Sequence, residues 1–174
     1  IRKIESGEIK LFNETISNQH NFLDPKSLKE KGLSHVPEDR QRMGLVTDFK
    51  AYENLIFGYH HLEPFSKSCI LKEKEILNFS KKVMEEYDVR PGSPNLITSN
   101  FSGGNQQKII LSRELNESPK VLLVGQPTRG VDIGAIEFIH QRLIDMRDKG
   151  AAILLVSVEL DEVLSLSDRI VVMF

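Results

Sequence analysis

Unbroken apolar runs separated by amphipathic stretches dominate the second half of the chain. Residues 121–124 and 151–156 are apolar throughout and are bounded by turn residues, which is typical of parallel strands buried on both faces. Residues 133–149 between them have the spacing of an amphipathic helix that ends at a glycine. This order predicts a βαβ unit, in which a helix crosses from one parallel strand to the next. A helix over 160–166 and a last strand over 169–173 are expected to extend the same layer.

The first half of the chain carries shorter signals. Residues 8–16 alternate loosely between apolar and polar side chains, which predicts one or two short strands with a turn near residues 13–14. Residues 33–36 predict a short strand that is ended by Pro37. The charged residues 38–42 that follow are predicted to form a loop, and such a loop after a strand is a common place for chemistry.

Helical spacing marks the middle of the chain. Residues 51–57, 72–87 and 106–116 place apolar side chains on one helical face and charged side chains on the other. The stretch 90–100 is rich in proline and glycine and predicts a connector. We therefore predict an α/β fold in which a parallel sheet is interrupted by a helical subdomain over residues 51–116.

Composition narrows the class of protein without naming a partner. A chain of 174 residues with 40% hydrophobic and 28% charged side chains is sized for one globular domain. The 23 basic and 25 acidic residues nearly balance, so no basic excess indicates a nucleic-acid partner. A single cysteine, Cys69, cannot form an internal disulfide and suits a reducing, cytoplasmic compartment. The chain starts at Ile1 and ends at Phe174 directly after an apolar run, which suggests a piece of a longer protein.

Several motifs in register resemble the nucleotide-binding domains of ABC transporters. The segment 101–105, Phe-Ser-Gly-Gly-Asn, resembles their signature motif, and Gly130-Val131-Asp132 after an apolar strand resembles their D-loop. Residues 155–162 resemble the switch region. The sequence Val-Pro-Glu-Asp-Arg at 36–40 and the Asn-Gln-Gln ending of the signature are similar to the second, C-terminal half of the tandem ATPases that serve simple-sugar and nucleoside importers.

The resemblance implies a P-loop NTPase-like cassette that lacks its P-loop. No segment matches the phosphate-binding pattern G-x-x-x-x-G-K-[ST], and we expect that loop to lie before Ile1 in a longer parent protein. By the resemblance, residues 1–50 and 117–174 form the ATP-binding core, with a Q-loop-like region in the first part and the Walker B-like strand, D-loop and switch in the second. Residues 51–116 then form the helical subdomain that carries the signature.

The nucleotide-binding residues implied by the resemblance are few. Glycines let a phosphate approach the backbone, and the N–H groups at a helix start together with a serine hydroxyl supply donors. A serine N-cap followed by a glycine-rich turn is the alternative explanation of the same letters. In the family, the signature closes over the nucleotide on the partner domain of a head-to-tail dimer. The cofactor-binding residues expected in this chain are Ser102, Gly103, Gly104, Asn105, Asp132 and Glu38.

Three positions depart from the family pattern and remove its catalytic groups. The apolar strand is followed by Gly125 and Gln126, where the family has an aspartate for the Mg²⁺ shell and a glutamate for the attacking water. The switch histidine is replaced by Val158. We therefore expect no catalytic or metal-binding residue of this chain's own. Three alternatives are open for Glu38, at the Q-loop position: its carboxylate approaches a magnesium ion, remains a solvated charge, or forms a salt bridge with Arg40.

The resulting hypothesis is the C-terminal half of the ATP-binding subunit of an importer for simple sugars or nucleosides. Its cofactors would be ATP and Mg²⁺ in the parent complex, which is expected to be a transport-coupled ATPase. Its partners would be the N-terminal nucleotide-binding domain, two membrane permease subunits and, indirectly, a solute-binding protein, at the cytoplasmic face of the membrane. The alternative is a catalytically impaired docking module that binds the membrane subunit. A soluble ABC protein of DNA repair or translation is disfavoured by the sugar-type residues 36–40 and the lack of a basic patch.

The histidines and the aromatic residues give weaker signals of function. The histidines show no metal-binding spacing, and surface or helix-end positions are expected for them. The aromatic residues of the region after the Q-loop are expected to divide between the core of the helical subdomain and a face that docks the membrane subunit. These aromatic residues are Phe49, Tyr52, Phe57 and Tyr59.

Overall fold

The computed structural model describes residues 6–17 and 23–173. Residues 1–5, which belong to the segment expected to follow the missing phosphate loop, lie outside this part. Short helical turns at Arg40–Gly44 and Thr98–Asn100 join the main elements. The strands and helices follow in the order β1 (Ile9–Leu11), β2 (Glu14–Ser17), α1 (Pro25–Glu30), β3 (Leu33–Val36), α2 (Ala51–Leu55), β4 (Ser66–Lys67), β5 (Ile70–Leu71), α3 (Glu73–Glu86), α4 (Gly103–Asn116), β6 (Val121–Gly125), α5 (Ile133–Asp148), β7 (Ala152–Val156) and α6 (Leu160–Leu166).

A parallel sheet of order β3-β6-β7 forms the centre of the fold. Leu33 pairs with Val121 and Val121 with Ala152, so the three strands begin at one level of the sheet. The central strand β6 is hydrogen-bonded on both edges, and its Leu122 is fully buried. The predicted βαβ unit is confirmed as β6–α5–β7, and the α/β prediction with it.

Helix α4 is the main packing element of the core. Ile109, Ile110 and Leu111 are fully buried on successive sides of this helix, which contacts β3, α2 and α5. A helix that is apolar on several sides must be surrounded by other elements, and this explains its central place. The helix begins at Gly103, which is earlier than the predicted start at residue 106.

Replacing Gly44 by alanine is expected to destabilise the protein by about 1–3 kcal/mol, the usual cost of overpacking a core. A Cβ on Gly44 would come within 2.5 Å of the Ile110 Cδ1 and 3.2 Å of the Pro37 Cγ, and Ile110 is fully buried. Urea unfolding would measure the change in the free energy of unfolding. Gly92→Ala is the matched control, since the nearest atom to its Cβ would be the Val89 carbonyl oxygen at 4.0 Å. An equal loss for both variants would contradict the prediction.

Within the described residues there are two antiparallel hairpins, and the sequence predicts only one of them. In β1–β2 the turn residues Phe12 and Asn13 have φ of 51° and 64°, in agreement with the predicted turn near residues 13–14. In β4–β5 the turn residues Ser68 and Cys69 have φ of 50° and 65°. Such turns favour Asn-Gly or Asp-Gly, and Ser-Cys lacks this signal, so the sequence did not indicate the second hairpin.

Two predictions of local structure are wrong. Residues 169–173 were expected to form a strand, but they have no regular structure, and Val171, Val172 and Met173 are each at least 78% exposed. A strand needs a neighbouring strand for its hydrogen bonds, and none of the described strands pairs with this segment. Residues 38–42 were expected to be a loop, but the Asp39 side chain accepts a hydrogen bond from the Arg42 N–H at 3.0 Å and caps the helical turn Arg40–Gly44.

The outer strand β7 has one hydrogen-bonding edge with no partner in the described part of the chain. Its Leu154 and Val156 side chains are each 60% exposed, although all-parallel sheets are normally covered on both faces.

Within residues 6–17 and 23–173, no helix has the length and apolar character needed to cross a bilayer. The division into core and helical subdomain stays a prediction, with α2, α3 and α4 inside the range 51–116.

Candidate functional site

The carboxyl ends of the three parallel strands bring the predicted site segments to one edge of the sheet. Glu38 lies shortly after the end of β3, Gln126 directly follows β6, and Val158 lies shortly after β7. Loops at the carboxyl ends of parallel strands commonly form ligand sites, because their backbone and side chains converge there. The sheet thus explains why residues from distant parts of the sequence can share one site.

The signature segment forms the start of helix α4. Ser102 is the N-cap, and its Oγ accepts hydrogen bonds from the Asn105 backbone N–H at 3.4 Å and from the Asn105 Nδ2 at 2.9 Å. The Asn105 Oδ1 accepts a hydrogen bond from the Arg90 N–H at 2.7 Å. Ser102 therefore acts as the N-cap of α4 in the folded chain, as the alternative explanation of the motif expects. Both ends of the Asn105 amide are engaged in bonds that hold the connector to the signature.

The two signature glycines are sites of close packing within the chain. A Cβ on Gly103 would lie 2.5 Å from the Arg40 Nη2 and 3.0 Å from the Gly130 carbonyl oxygen. A Cβ on Gly104 would lie 3.1 Å from both the Ala135 Cβ and the Asp132 Oδ2. The absence of side chains lets the start of α4 approach the D-loop-like segment, which is a reason for glycine that involves no ligand.

The D-loop-like segment leads into helix α5, whose start packs beside the signature. Asp132 is the N-cap of α5, and its Oδ1 accepts a hydrogen bond from the Ala135 N–H at 2.9 Å. Gly130 has φ of 64°, a left-handed conformation that glycine adopts without a steric penalty. The starts of α4 and α5 therefore lie side by side, with Ser102 and Asp132 as their caps.

Of the alternatives for Glu38, the salt bridge with Arg40 is not formed. The Glu38 Oε1 instead accepts a hydrogen bond from the Arg129 Nη1 at 2.9 Å. The Arg40 guanidinium donates to two backbone carbonyl oxygens, that of Arg129 at 2.7 Å and that of Gly130 at 3.4 Å. Arg40 therefore binds the backbone of the D-loop-like segment, while Glu38 pairs with the Arg129 side chain.

The three positions at which the sequence departs from the expected catalytic residues, Gly125, Gln126 and Val158, also lie together. The Gln126 N–H donates to the Val156 carbonyl at 2.8 Å, and its Oε1 accepts a hydrogen bond from the Val158 N–H at 3.5 Å. A Cβ on Gly125 would lie 3.2 Å from the Glu38 backbone nitrogen, so Glu38 partly fills the space next to it. The Gln126 amide cannot act as a general base, and the Val158 side chain has no N–H group that could donate a hydrogen bond to a phosphate, as an imidazole could.

The connector next to the signature carries a small charge cluster. The Arg90 Nε donates to the Asp88 Oδ1 at 2.7 Å, and the Lys108 Nζ donates to the Asp88 Oδ2 at 3.2 Å. The hydrogen bonds from Arg90 and Lys108 hold the pKa of Asp88 below its usual value. Lys108 also donates to the Asp88 carbonyl at 2.9 Å, so this cluster ties the end of α3 to α4.

Histidines and acidic residues do not gather into a metal site in the described parts of the chain, where no group of three potential ligands was found. His140 lies in α5, half-buried, and its Nε2 is 2.9 Å from the Oε1 of the buried Glu162 in α6. This pair joins the helix after the D-loop-like segment to the helix after the switch-like segment.

The aromatic residues after the Q-loop-like region fall into a core pair and an exposed pair. Tyr59 is buried in a small core cluster, and Tyr52 packs against that cluster. Phe49 and Phe57 are 40% and 47% exposed. The exposed pair remains available for a partner.

The fold defines the class of protein. Among solved structures, a nucleotide-free ATP-binding cassette from an ABC transporter matches with a TM-score of 0.72 and 25% identity over 96% of this chain and 65% of that one. A cassette called MJ0796, solved as a dimer in a post-hydrolysis state with ADP and Pi bound, matches with a TM-score of 0.67 and 23% identity over 92% of this chain and 66% of its own. The chain therefore has the fold of an ABC ATP-binding cassette.

Sequence similarity to curated proteins supports the same class of protein. The chain is 46% identical over 172 residues to the nucleoside import ATP-binding protein NupA of Lactococcus lactis, and 43% identical over 174 residues to the guanosine import ATP-binding protein NupO of Bacillus subtilis. It is 36% identical to the ribose import ATP-binding protein RbsA of Streptococcus agalactiae. These matches cover 99–100% of this chain and 33–34% of the relatives, so the chain spans about a third of their length. No protein-family model matches. The sequence relatives and the fold agree on ABC ATP-binding cassettes, which confirms the family resemblance inferred from the motifs.

The sequence found the signature and D-loop-like residues but missed the role of Arg40. The structure brings Ser102–Gly104, Asp132 and Gly130 together, and it places Gly125, Gln126 and Val158 together at the carboxyl ends of the strands, with Gly125 next to Glu38. No sequence signal shows that the Arg40 guanidinium spans these segments, because its hydrogen bonds go to backbone carbonyls.

Proposed function

We propose that this chain is part of the C-terminal cassette of an importer ATPase for nucleosides or simple sugars. In this role it completes the ATP site of a partner cassette through Ser102, Gly103 and Gly104, with Asp132 beside them. The single observation that carries the proposal is an asymmetry within one edge of the sheet. The groups that act across a cassette dimer are packed together, while the positions for metal binding and water activation hold Gly125 and Gln126.

The start of α4 fits a phosphate group. The first N–H groups of a helix have no acceptor within the helix, and the helix dipole favours a negative charge there. Helix α4 has 14 residues, and its N-cap Ser102 is exposed. A phosphate of ATP held by the partner cassette would meet these donors, and Asn105 would stiffen the segment through its bonds to Ser102 and Arg90.

The residues of this chain do not fit a magnesium ion of their own. Hard cations take oxygen ligands, and Gly125 supplies none from a side chain. Glu38 is engaged with Arg129 at 2.9 Å. We therefore assign Mg²⁺ and the hydrolytic residues to the partner cassette of the parent ATPase, and only the completing contacts on ATP to this chain.

The parent complex would place this cassette at the cytoplasmic face of a membrane as a peripheral subunit. Its relatives bear the names of import proteins for nucleosides, guanosine and ribose, which supports two membrane permease subunits and a solute-binding protein as partners. The N-terminal cassette of the same longer chain would be the partner of the signature. The exposed Phe49 and Phe57 next to α2 are proposed to contact the permease.

Binding of Mg·ATP by calorimetry tests whether this cassette has a nucleotide site of its own. The 174-residue chain is expected to show no binding, because it lacks a phosphate-binding loop. A version extended toward the N-terminus to include that loop is expected to bind ATP but not to hydrolyse it, and Mg·AMP serves as the control nucleotide. Hydrolysis by the extended version alone would contradict the proposed loss of catalysis.

A docking module is the second candidate, and the exposed aromatic pair Phe49 and Phe57 favours it. In this case the cassette binds the permease and supports assembly without any part in ATP turnover. Absence of ATP binding by the extended version, together with full ATPase activity after Ser102→Arg in the full-length protein, would select this candidate. Loss of activity after Ser102→Arg would reject it.

A further inference from the structure

The Arg40 side chain lies where three segments of the candidate site meet. Its Nη1 donates to the Arg129 carbonyl at 2.7 Å and its Nη2 to the Gly130 carbonyl at 3.4 Å. The Nη2 also lies 2.5 Å from the position that a Cβ on Gly103 would take. The guanidinium is thus packed between the start of α4 and the D-loop-like segment, and its Nε is buried without a hydrogen-bond partner.

Electrostatics alone would not favour this position. The N-terminus of a helix carries a partial positive charge, so a guanidinium beside the start of α4 is repelled unless acceptors compensate it. The carbonyl oxygens of Arg129 and Gly130 are such acceptors, and they belong to consecutive residues. The planar guanidinium presents several N–H groups in a fixed geometry, and it can bind two neighbouring oxygens at once. A lysine ammonium keeps the charge but not this geometry.

We propose that Arg40 is a positioning residue that holds the segment 129–132 against the signature. With the backbone of Arg129 and Gly130 bound, Asp132 keeps its place as the cap of α5 beside Gly104. The signature and the D-loop-like segment then present one surface to the partner cassette. This proposal rests on the proposed function, in which that surface completes the partner's ATP site.

The test compares Arg40→Ala and Arg40→Lys with Arg42→Ala in the full-length protein. Arg42 belongs to the same helical turn and is exposed, so Arg42→Ala is a matched control. Both Arg40 variants are expected to lower kcat by about 10- to 100-fold, since small displacements of a positioned group have effects of this size. KM for ATP is expected to change much less, because the partner cassette holds most of the nucleotide. Arg42→Ala is expected to match the wild type in both constants.

Hydrogen exchange in the same proteins supplies a readout that does not depend on ATP turnover. The N–H groups of Arg129 and Val131 donate to the Gln126 and Thr128 carbonyls at 3.2 and 3.3 Å. Their exchange is expected to speed up in both Arg40 variants and to stay unchanged in Arg42→Ala. A general loss of stability would instead speed exchange throughout the cassette.

The results of these experiments distinguish a failure of the Arg40 positioning role from a failure of the proposed function. Wild-type kcat and exchange for Arg40→Lys would overturn the positioning role, because charge alone would then suffice. Unchanged exchange in Arg40→Ala would also overturn it. Full activity of a Ser102→Arg variant would instead overturn the proposed function, and local exchange at Arg129 and Val131 would still decide whether Arg40 positions the segment.

Discussion

Replacing Ser102 by arginine, or Gly103 by aspartate, is expected to lower the ATPase activity of the full-length protein by about 100-fold or more. Removal of a preorganised donor at a reacting group has an effect of this size. Ser102→Arg removes the N-cap of α4 and places a long side chain where a phosphate would bind. Gly103→Asp adds a Cβ within 2.5 Å of the Arg40 Nη2 and a negative charge at the phosphate-binding face. The measurement is steady-state ATP hydrolysis by the purified complex.

Two further variants make this result specific. Gln126→Ala is expected to keep activity within about twofold, since the glutamine amide cannot act as a base. Gly134→Ala, in the first turn of α5, is the matched control for Gly103, because the nearest atom to its Cβ would be the Asp132 Oδ1 at an ordinary 3.5 Å. If Gln126→Ala were as damaging as the signature variants, this cassette would have a catalytic role that we assign to its partner.

Replacing Glu114 by alanine is expected to destabilise the isolated chain by about 3–5 kcal/mol, the usual cost of removing one partner of a buried ion pair. The Glu114 side chain is 3% exposed and accepts hydrogen bonds from the Arg113 Nε at 2.8 Å and the Lys29 Nζ at 2.9 Å. Arg113, itself 5% exposed, also donates to the Gly44 carbonyl at 2.9 Å. Its charge would remain buried without a carboxylate. Urea unfolding measures the change in the free energy of unfolding.

Two comparisons decide whether the buried charge is the cause. Glu117→Ala, an exposed glutamate just beyond the end of α4, is expected to change stability by no more than about 0.5 kcal/mol. The double variant Glu114→Ala with Arg113→Met is expected to be less destabilised than the sum of the single variants, because both charges leave the core together. Additive effects in the double variant would contradict the ion-pair explanation.

The secondary structure of the sheet layer was predictable because its signals are local. Unbroken apolar runs predicted β6 and β7, and helical periodicity between them predicted α5 within one residue of its observed end at Asp148. The hairpin at Ser66–Leu71 was not predicted, because its turn lacks the usual residue types. Helix α1 starts with a capping aspartate and a proline, but it was not predicted because it has only six residues and buries none of them. The strand expected at 169–173 has an apolar sequence, but strand formation also depends on a neighbour that a local pattern does not supply.

The candidate site was predictable as a set of residue types and not as a set of contacts. The signature and D-loop-like motifs identified Ser102, Gly103, Gly104 and Asp132, and the sequence alone showed that Gly125 lacks a side-chain ligand. How Glu38 and the glycines are used could not be deduced from their spacing. The glycines proved to be sites of internal packing, which their resemblance to a phosphate-binding motif did not indicate.

The sequence by itself indicated the family resemblance of this protein, the order β6–α5–β7, and the residue types at the positions expected to be catalytic, because each depends on residue identity and short-range periodicity. Only the tertiary structure decided that Glu38 pairs with Arg129 and that Arg40 binds the carbonyls of Arg129 and Gly130. These contacts join residues about 90 positions apart in the sequence. Their partners are set by how α4, α5 and the strand ends pack together, and backbone carbonyls are available at every residue, so no pattern of side chains could have selected them.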